Sequence, residues 1–197
     1  MAKLYFYYST MNAGKSTSLL QAAHNYAERG MHTLLFTAHL GKQASGRIAS
    51  RIGIDKHALW YKPDTDFWEI CPPYKPACVL IDEAQFLTKN QVRQLGRVVD
   101  EANIPVMCYG LRVDFRGELF DGSAALLAWA DNLYELKTIC WCARKATMVV
   151  RVSANGTVER DGALVEVGGN ERYIPLCRKH FYEAYQTGRC KGWKNEG

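Results

Sequence analysis

The stretch Leu4-Tyr5-Phe6-Tyr7-Tyr8-Ser9-Thr10-Met11-Asn12-Ala13-Gly14-Lys15-Ser16 decides the fold. Its first five residues form a short apolar run suited to a fully buried strand. Over residues 15–28, Leu19, Leu20, Ala23 and Ala27 recur at helical spacing, and Gly30 stands where such a helix would stop. Strand, glycine-containing turn and helix, in that order, let backbone N–H groups wrap phosphates while the helix N-terminus adds partial positive charge. In such a loop Lys15 reaches the β- and γ-phosphates of a nucleotide and the Ser16 hydroxyl ligates Mg²⁺. The usual first glycine of the loop is Ser9 here, so that turn must accommodate a side chain.

Working outward, residues 33–37, 78–81 and 106–109 are further short apolar runs. Thr88 followed by Gln91 is a capping-box signal for a helix to about Glu101, Pro105 stops it from continuing, and residues 123–130 read as a short helix. Apolar strands alternating with helices predict an α/β domain with a parallel sheet covered on both faces, over residues 1–137. The polar stretch 39–50 reads as a mobile loop, and Pro72, Pro73 and Pro76 interrupt the chain before the third strand.

That third strand ends in Val79-Leu80-Ile81-Asp82-Glu83, which places two carboxylates at the sheet edge that faces a nucleotide in such folds. Asp82 would hold Mg²⁺ opposite Ser16, and Glu83 would act as base on whatever attacks the γ-phosphate.

The pattern changes after Lys137. Residues 147–152 and 158–167 flank Asn155-Gly156, a hairpin signal, and a short helix follows Cys177. This β-rich appendage, residues 138–190, has few large apolar side chains and needs a staple of its own; residues 191–197 read as a flexible tail. Cys140-Trp141-Cys142 and Cys177-Arg178-Lys179-His180 bracket it and resemble the two ligand pairs of a zinc ribbon, with a first pair one residue shorter than usual. Four protein ligands imply a closed, structural site. Cys71, Cys78, Cys108 and Cys190 lack such pairing, and Cys78 and Cys108 fall in strand runs, hence in the core.

Composition sets limits. At roughly 150 residues per domain, 197 residues predict one full domain and a small appendage. A hydrophobic fraction of 48% with 23% charged residues excludes a disordered chain. The net charge of +5 suits a phosphate-bearing partner without demanding a nucleic-acid groove, and no nucleic acid is expected. The apolar run at residues 4–8 is far short of a membrane span, which takes about 20 residues, and lacks a signal-peptide cleavage site. A cytoplasmic, reduced protein is therefore expected, with its seven cysteines in metal ligation or burial rather than disulfides.

Taken together these residues resemble the cytosolic, zinc-containing type of thymidine kinase, and its bacterial branch in particular. The most specific pieces are residues 7–16, Asp82-Glu83-Ala84-Gln85-Phe86, Tyr109-Gly110-Leu111-Arg112-Val113-Asp114-Phe115-Arg116-Gly117 and Gly168-Gly169-Asn170-Glu171-Arg172-Tyr173, and the resemblance covers residues 4–185. It implies a RecA-like nucleotide-binding P-loop domain plus a small β-rich zinc-ribbon domain with a lasso-like loop over the nucleoside. Glu83 then matches the base that deprotonates the 5′-hydroxyl. Ser9, Thr10, Met11, Asn12, Ala13, Gly14, Lys15, Ser16, Asp82, Glu83, Ala84 and Gln85 match positions that hold Mg²⁺ and ATP. Met11, Phe86, Leu111, Phe115, Phe120, Thr147 and Tyr173 match thymidine-pocket positions. Gly168 and Gly169 open the lasso segment, whose backbone amides would read the base. Cys140, Cys142, Cys177 and His180 match the family's zinc ligands. A homotetramer and feedback inhibition by thymidine triphosphate are implied as well.

Members often carry an Asp and an Arg in the loop after the second strand; here it reads His39-Leu40-Gly41-Lys42-Gln43-Ala44-Ser45-Gly46-Arg47, without the Asp. An arginine is expected to neutralise the transferring phosphoryl, with Arg51, Arg112, Arg116 and Arg144 as candidates. Three other readings stay open on sequence: a nucleic-acid-stimulated P-loop ATPase whose zinc ribbon grips DNA, a nucleoside monophosphate kinase with a zinc lid, and an ATP-binding module without chemistry.

Overall fold

The structure is a computed structural model and describes residues 1–40, 46–49, 53, 55–164 and 170–191. It divides into two compact units: Met1–Tyr8, Gly14–Leu111 and Phe120–Leu136 in the first, and Ser9–Ala13, Arg112–Leu119 and Lys137–Gly197 in the second.

The first unit runs β1 (Leu4–Ser9), α1 (Lys15–Glu28), β2 (Thr33–Ala38), β3 (Arg47–Ala49), β4 (Asp55–His57), β5 (Leu59–Tyr61), α2 (Phe67–Tyr74), β6 (Cys78–Ile81), a 3-10 turn (Ala84–Phe86), α3 (Lys89–Asp100), β7 (Val106–Leu111), α4 (Asp121–Trp129) and β8 (Asn132–Glu135). Six strands form one sheet in the order β5-β2-β6-β7-β1-β8, and β5–β2, β2–β6, β6–β7 and β1–β8 pair in parallel. Alternation along β6 feeds two cores. Val79 and Ile81 join Leu4, Phe6, Phe36 and the apolar faces of α3 and α4, while Cys78 and Leu80 join Leu19, Leu20 and Ala23 of α1 with Tyr109.

Local signals explain most boundaries. The Thr88 hydroxyl accepts from the Gln91 backbone N–H at 3.1 Å and the Gln91 side chain accepts from the Thr88 N–H at 3.0 Å, the expected capping box at the start of α3. Several details differ from expectation. Ala27 is exposed, and Tyr26 carries the last turn of the α1 stripe. Pro72 and Pro73 lie in the last turn of α2 instead of breaking the chain ahead of β6. Asp66 caps that helix by accepting from the Trp68 and Glu69 N–H groups, and Phe67 and Cys71 are fully buried, so capping and packing outweigh the lost N–H groups. The segment read as a loop holds β3, which pairs antiparallel with β4. Residues 41–45 and 50 of it, and Arg51, lie outside the described residues.

The second unit contains β9 (Thr138–Ile139), β10 (Lys145–Ala146), β11 (Met148–Val152), β12 (Val158–Glu159), a 3-10 turn (Asn170–Arg172), β13 (Tyr173–Leu176) and α5 (Arg178–Thr187). β9 and β10 form an antiparallel pair, and β12-β11-β13 an antiparallel sheet. The Asn-Gly hairpin forms as read, with Gly156 at φ 79° and its N–H donating to the Ser153 carbonyl at 2.9 Å. Among the described residues its second strand is Val158–Glu159, residues 165–167 of the expected run lying outside them, and β11 finds its longer partner in β13. Val150, Val152, Val158, Leu176, Phe181 and Ala184 form a small core beside Cys140 and Cys177.

Gly122, in the first turn of α4, has no room for a side chain: a Cβ there would lie 2.7 Å from each of the Ala84, Gln85 and Leu87 carbonyl oxygens. Gly96 in α3 is the contrast, since its Cβ would meet only the Trp129 ring at 3.8 Å. Gly122→Ala should destabilise the protein by about 1–3 kcal/mol, whereas Gly96→Ala should stabilise it by up to about 1 kcal/mol. Urea denaturation of both variants measures the pair.

Candidate active site

Gly14 precedes α1 in a left-handed conformation (φ 78°), which delivers Lys15 and Ser16 as the helix's first two residues. Asp82 follows β6 directly and is anchored by its N–H, which donates to the Phe36 carbonyl at 2.8 Å. Its carboxylate is buried and accepts from the Ser16 hydroxyl, with Lys15 close enough to offset part of its charge. The second oxygen, Oδ1, is buried without a hydrogen-bond partner. Burial and the neighbouring Glu83 carboxylate push the Asp82 carboxyl up to about 7. A buried carboxylate with one unpaired oxygen beside a serine hydroxyl is a donor set that fits a hard divalent cation.

Glu83 adopts a left-handed backbone conformation (φ 53°, ψ 37°), which costs a non-glycine residue on the order of 1–3 kcal/mol. Two side chains hold it there. The Tyr61 hydroxyl donates to the Glu83 carbonyl at 2.7 Å, and Gln85 Nε2 donates to Glu83 Oε2 at 2.5 Å. Gln85 is itself fixed, because its Oε1 accepts from the Leu111 N–H at 3.0 Å. Gly110 permits this approach, since a Cβ there would lie 2.9 Å from the Gln85 nitrogen. The Ser123 hydroxyl donates to the Leu111 carbonyl at 2.5 Å, and the Phe86 and Phe120 rings meet edge-to-face at 5.7 Å. Within the first unit, then, Lys15, Ser16, Asp82 and Glu83 converge, and Gln85 links the 3-10 turn to Leu111. Tyr61 had no sequence signal, because its contact to Glu83 depends on β5 joining the sheet beside β2.

The second unit holds the remaining candidates. Ser9 needs no glycine-like backbone: its hydroxyl donates to the Thr10 carbonyl at 2.7 Å, and Asn12 takes the left-handed position instead (φ 62°). Met11, Ala13, Thr147 and Tyr173 are half-buried and Phe115 is buried. The Arg112 guanidinium donates to the Thr147 carbonyl at 2.9 Å, and Arg116 pairs with the buried Asp114 at 2.8 Å, so these two of the four phosphoryl-neutralising candidates are engaged in structural contacts. Arg151 stacks on the Phe115 ring at 4.0 Å, hydrogen-bonds Tyr173, and donates to Glu159, Ala163 and Asp161. Sequence reading passed over this arginine because a lone charge in an apolar run carries no partner information. Gly168 and Gly169 lie outside the described residues.

Cys140, Cys142, Cys177 and His180 bring four donor atoms within 4.8 Å of one another. His180 Nδ1 lies 3.3 Å from Cys140 Sγ and 3.4 Å from Cys177 Sγ, and Cys142 Sγ lies 3.9 Å from Cys177 Sγ. A tetrahedron built with Zn–S of about 2.3 Å and Zn–N of about 2.0 Å has edges of about 3.8 Å and about 3.5 Å, so the cluster fits a structural zinc. The short Cys-Trp-Cys pair works because Ala143 turns left-handed (φ 63°), closing β9 onto β10 through the Cys140 N–H to Arg144 carbonyl bond. The Arg144 backbone N–H beside Cys142 holds its thiol below the ordinary value, favouring the thiolate a metal needs. Trp141 stacks on the His180 ring at 4.1 Å, and Glu183 lies 3.9 Å from its Nε2.

The thymidine kinase family model matches residues 2–181. The chain belongs to the thymidine kinase family. It is 62% identical over 189 residues to a thymidine kinase of Jannaschia sp. (strain CCS1), covering 93% of this chain and 97% of that protein. The thymidine kinase of Ruegeria pomeroyi is 57% identical over 197 residues, covering 98% of this chain and all of its own length. That of Photorhabdus laumondii is 55% identical over 194 residues, with 96% of each chain covered. Among the described residues, no helix of this family member is long and apolar enough to cross a membrane.

Two outcomes follow from this geometry. Because the second unit has a small core, stripping zinc with a chelator should unfold it, read as lost β-sheet circular dichroism together with release of about one zinc per chain; Cys177→Ser should give the same loss. Asp82 sits above its unfolded value, so metal-free protein should lose stability as pH rises from about 4 through about 7. Mg-ATP should offset that loss, and its increment in Tm should be larger at about pH 8 than at about pH 6.

Proposed function

We propose that this chain transfers the γ-phosphoryl group of Mg-ATP to the 5′-hydroxyl of thymidine, giving ADP and thymidine monophosphate. Family membership supports the phosphotransferase activity. The observation that carries the chemistry is the buried Asp82 carboxylate, bonded by Ser16 on one side and unpaired at Oδ1, with Glu83 next to it.

In this reading Ser16 and Asp82 hold Mg²⁺, which neutralises charge on the β- and γ-phosphates when bound. Backbone N–H groups of Ser9, Thr10, Met11, Asn12, Ala13 and Gly14 bind the phosphates, Lys15 supplies a cation to them, and Ala84 and Gln85 complete the nucleotide side. Glu83 takes the proton of the 5′-hydroxyl as the oxygen–phosphorus bond forms and the bond to the ADP oxygen breaks. Phe86, Leu111 and Phe120 of the first unit, and Met11, Phe115, Thr147, Gly168, Gly169 and Tyr173 of the second, are assigned to the nucleoside. Aromatic and thioether walls suit its flat faces, and backbone amides suit the edge of thymine. Residues 1–137 act as the ATP-binding P-loop domain and 138–190 as the zinc and lasso domain, with 191–197 as a tail. The enzyme works in the cytoplasm as a homotetramer in nucleoside salvage, inhibited by thymidine triphosphate.

The test is ADP formation by zinc-replete protein with Mg-ATP, against thymidine, deoxycytidine, deoxyadenosine, thymidine monophosphate and single-stranded DNA. Turnover with thymidine, reduced about 10²- to 10⁴-fold in Glu83→Gln, is the expected result. Turnover only with the monophosphate or only with DNA would sink the assignment.

A further inference from the structure

We propose that Tyr61 is a positioning residue for the phosphoryl transfer, acting through Glu83: its hydroxyl locks the left-handed backbone that aims the Glu83 carboxylate, while Gln85 fixes the carboxylate itself. The inference rests on the reading of Glu83 as the base.

Tyr61 ends β5, an edge strand paired to β2 through Ala38. Its side chain is buried, with the ring tilted against Phe67 at 5.7 Å, so the phenol has little freedom to turn away. Its hydroxyl donates to the Glu83 carbonyl at 2.7 Å. That carbonyl belongs to a residue whose backbone is left-handed at φ 53°, a conformation side-chain-bearing residues leave readily unless neighbours hold it. The carboxylate end is held separately, by Gln85 Nε2 at 2.5 Å, and Gln85 is held by the Leu111 N–H at 3.0 Å. Backbone and carboxylate of Glu83 are thus tied to two different parts of the sheet, β5 and the end of β7. A base restrained at both ends is the arrangement that proton transfer in a defined direction requires. A tyrosine placed only to fill the core would need no hydroxyl, and phenylalanine would pack against Phe67 equally well.

A double-mutant cycle separates positioning from packing. Tyr61→Phe should lower kcat about 10-fold, with KM for thymidine and for Mg-ATP within about twofold of wild type and with wild-type zinc content. In a Glu83→Gln background the same substitution should cost nothing further, because the group it positions is already gone. An equal loss in both backgrounds, or no loss in kcat, overturns the role of Tyr61. If Tyr61→Phe shows no cooperative melting transition, Gln85→Glu decides the matter. It keeps an acceptor for the Leu111 N–H but withdraws the donor from Glu83, and the same non-additivity is expected; additivity there overturns the clamp. Wild-type protein without thymidine turnover would overturn the base assignment itself, an outcome visible before any variant is compared.

Discussion

A strand paired on both sides and covered on both faces can carry no charge until it ends. Every side chain of β6, Cys78 to Ile81, is fully buried, with β2 on one side and β7 on the other. The first position where a polar side chain can stand is Asp82, and even there the carboxylate remains buried. Its charge needs compensation, because an isolated ion in such a setting costs several kcal/mol (order of magnitude). The compensation comes from Lys15 and Ser16 on the first turn of α1. Parallel pairing makes this meeting obligatory, since parallel strands present their C-terminal ends on a common edge, where the following helices begin. The site's charge pattern is therefore a consequence of how the central strand is covered.

Immediately beyond, the chain is over-determined. Glu83 is left-handed, Gln85 is bonded in two directions, and the carbonyls of Ala84, Gln85 and Leu87 all face Gly122, with Gly110 against the Gln85 nitrogen. Two glycines are needed because backbone packs on backbone here, with no volume left for a Cβ. Strain of this kind persists only where the surroundings enforce it, and it gathers where a side chain must point in one direction. Six residues, 82–87, thus hold a buried carboxylate, a strained carboxylate and a rigid turn, each supported from a different strand or helix.

The second unit solves a different problem. Its hydrophobic cluster is small, and a metal held by Cys140, Cys142, Cys177 and His180 would add energy that packing cannot. A second device is polar: Arg151 is buried at 1% exposure, yet its donors reach Glu159, Asp161 and Ala163 and its face covers Phe115. A buried charge with a full set of partners contributes little net stability over an apolar replacement, but removing one partner is costly. Its effect is therefore geometric. It fixes Phe115 and Tyr173 relative to β11, from which all of those contacts radiate.

What could be read from sequence divides along the same physical line. Periodicity and caps act within a few residues, so α1, α3, β6 and the Asn155-Gly156 hairpin were legible, as was the clustering of Cys140, Cys142, Cys177 and His180, a donor set that fits zinc. The strand, turn and helix around Gly14 were legible despite Ser9, because the left-handed positions of that turn fall on Asn12 and Gly14. Illegible were contacts made by sheet order. β8 adds a sixth strand beside β1, and β5 brings Tyr61 to Glu83 across 22 positions of sequence. Neither strand differs locally from a loop, for three or four residues with half their side chains exposed carry too little pattern to register. Proline misled for the complementary reason. Pro72 and Pro73 remove two backbone donors, but a cap at Asp66 and two buried side chains hold α2 regardless. Local chemistry thus marked Lys15, Ser16, Asp82 and Glu83, and the pairing of a short edge strand, which only the assembled sheet can specify, placed Tyr61 against Glu83.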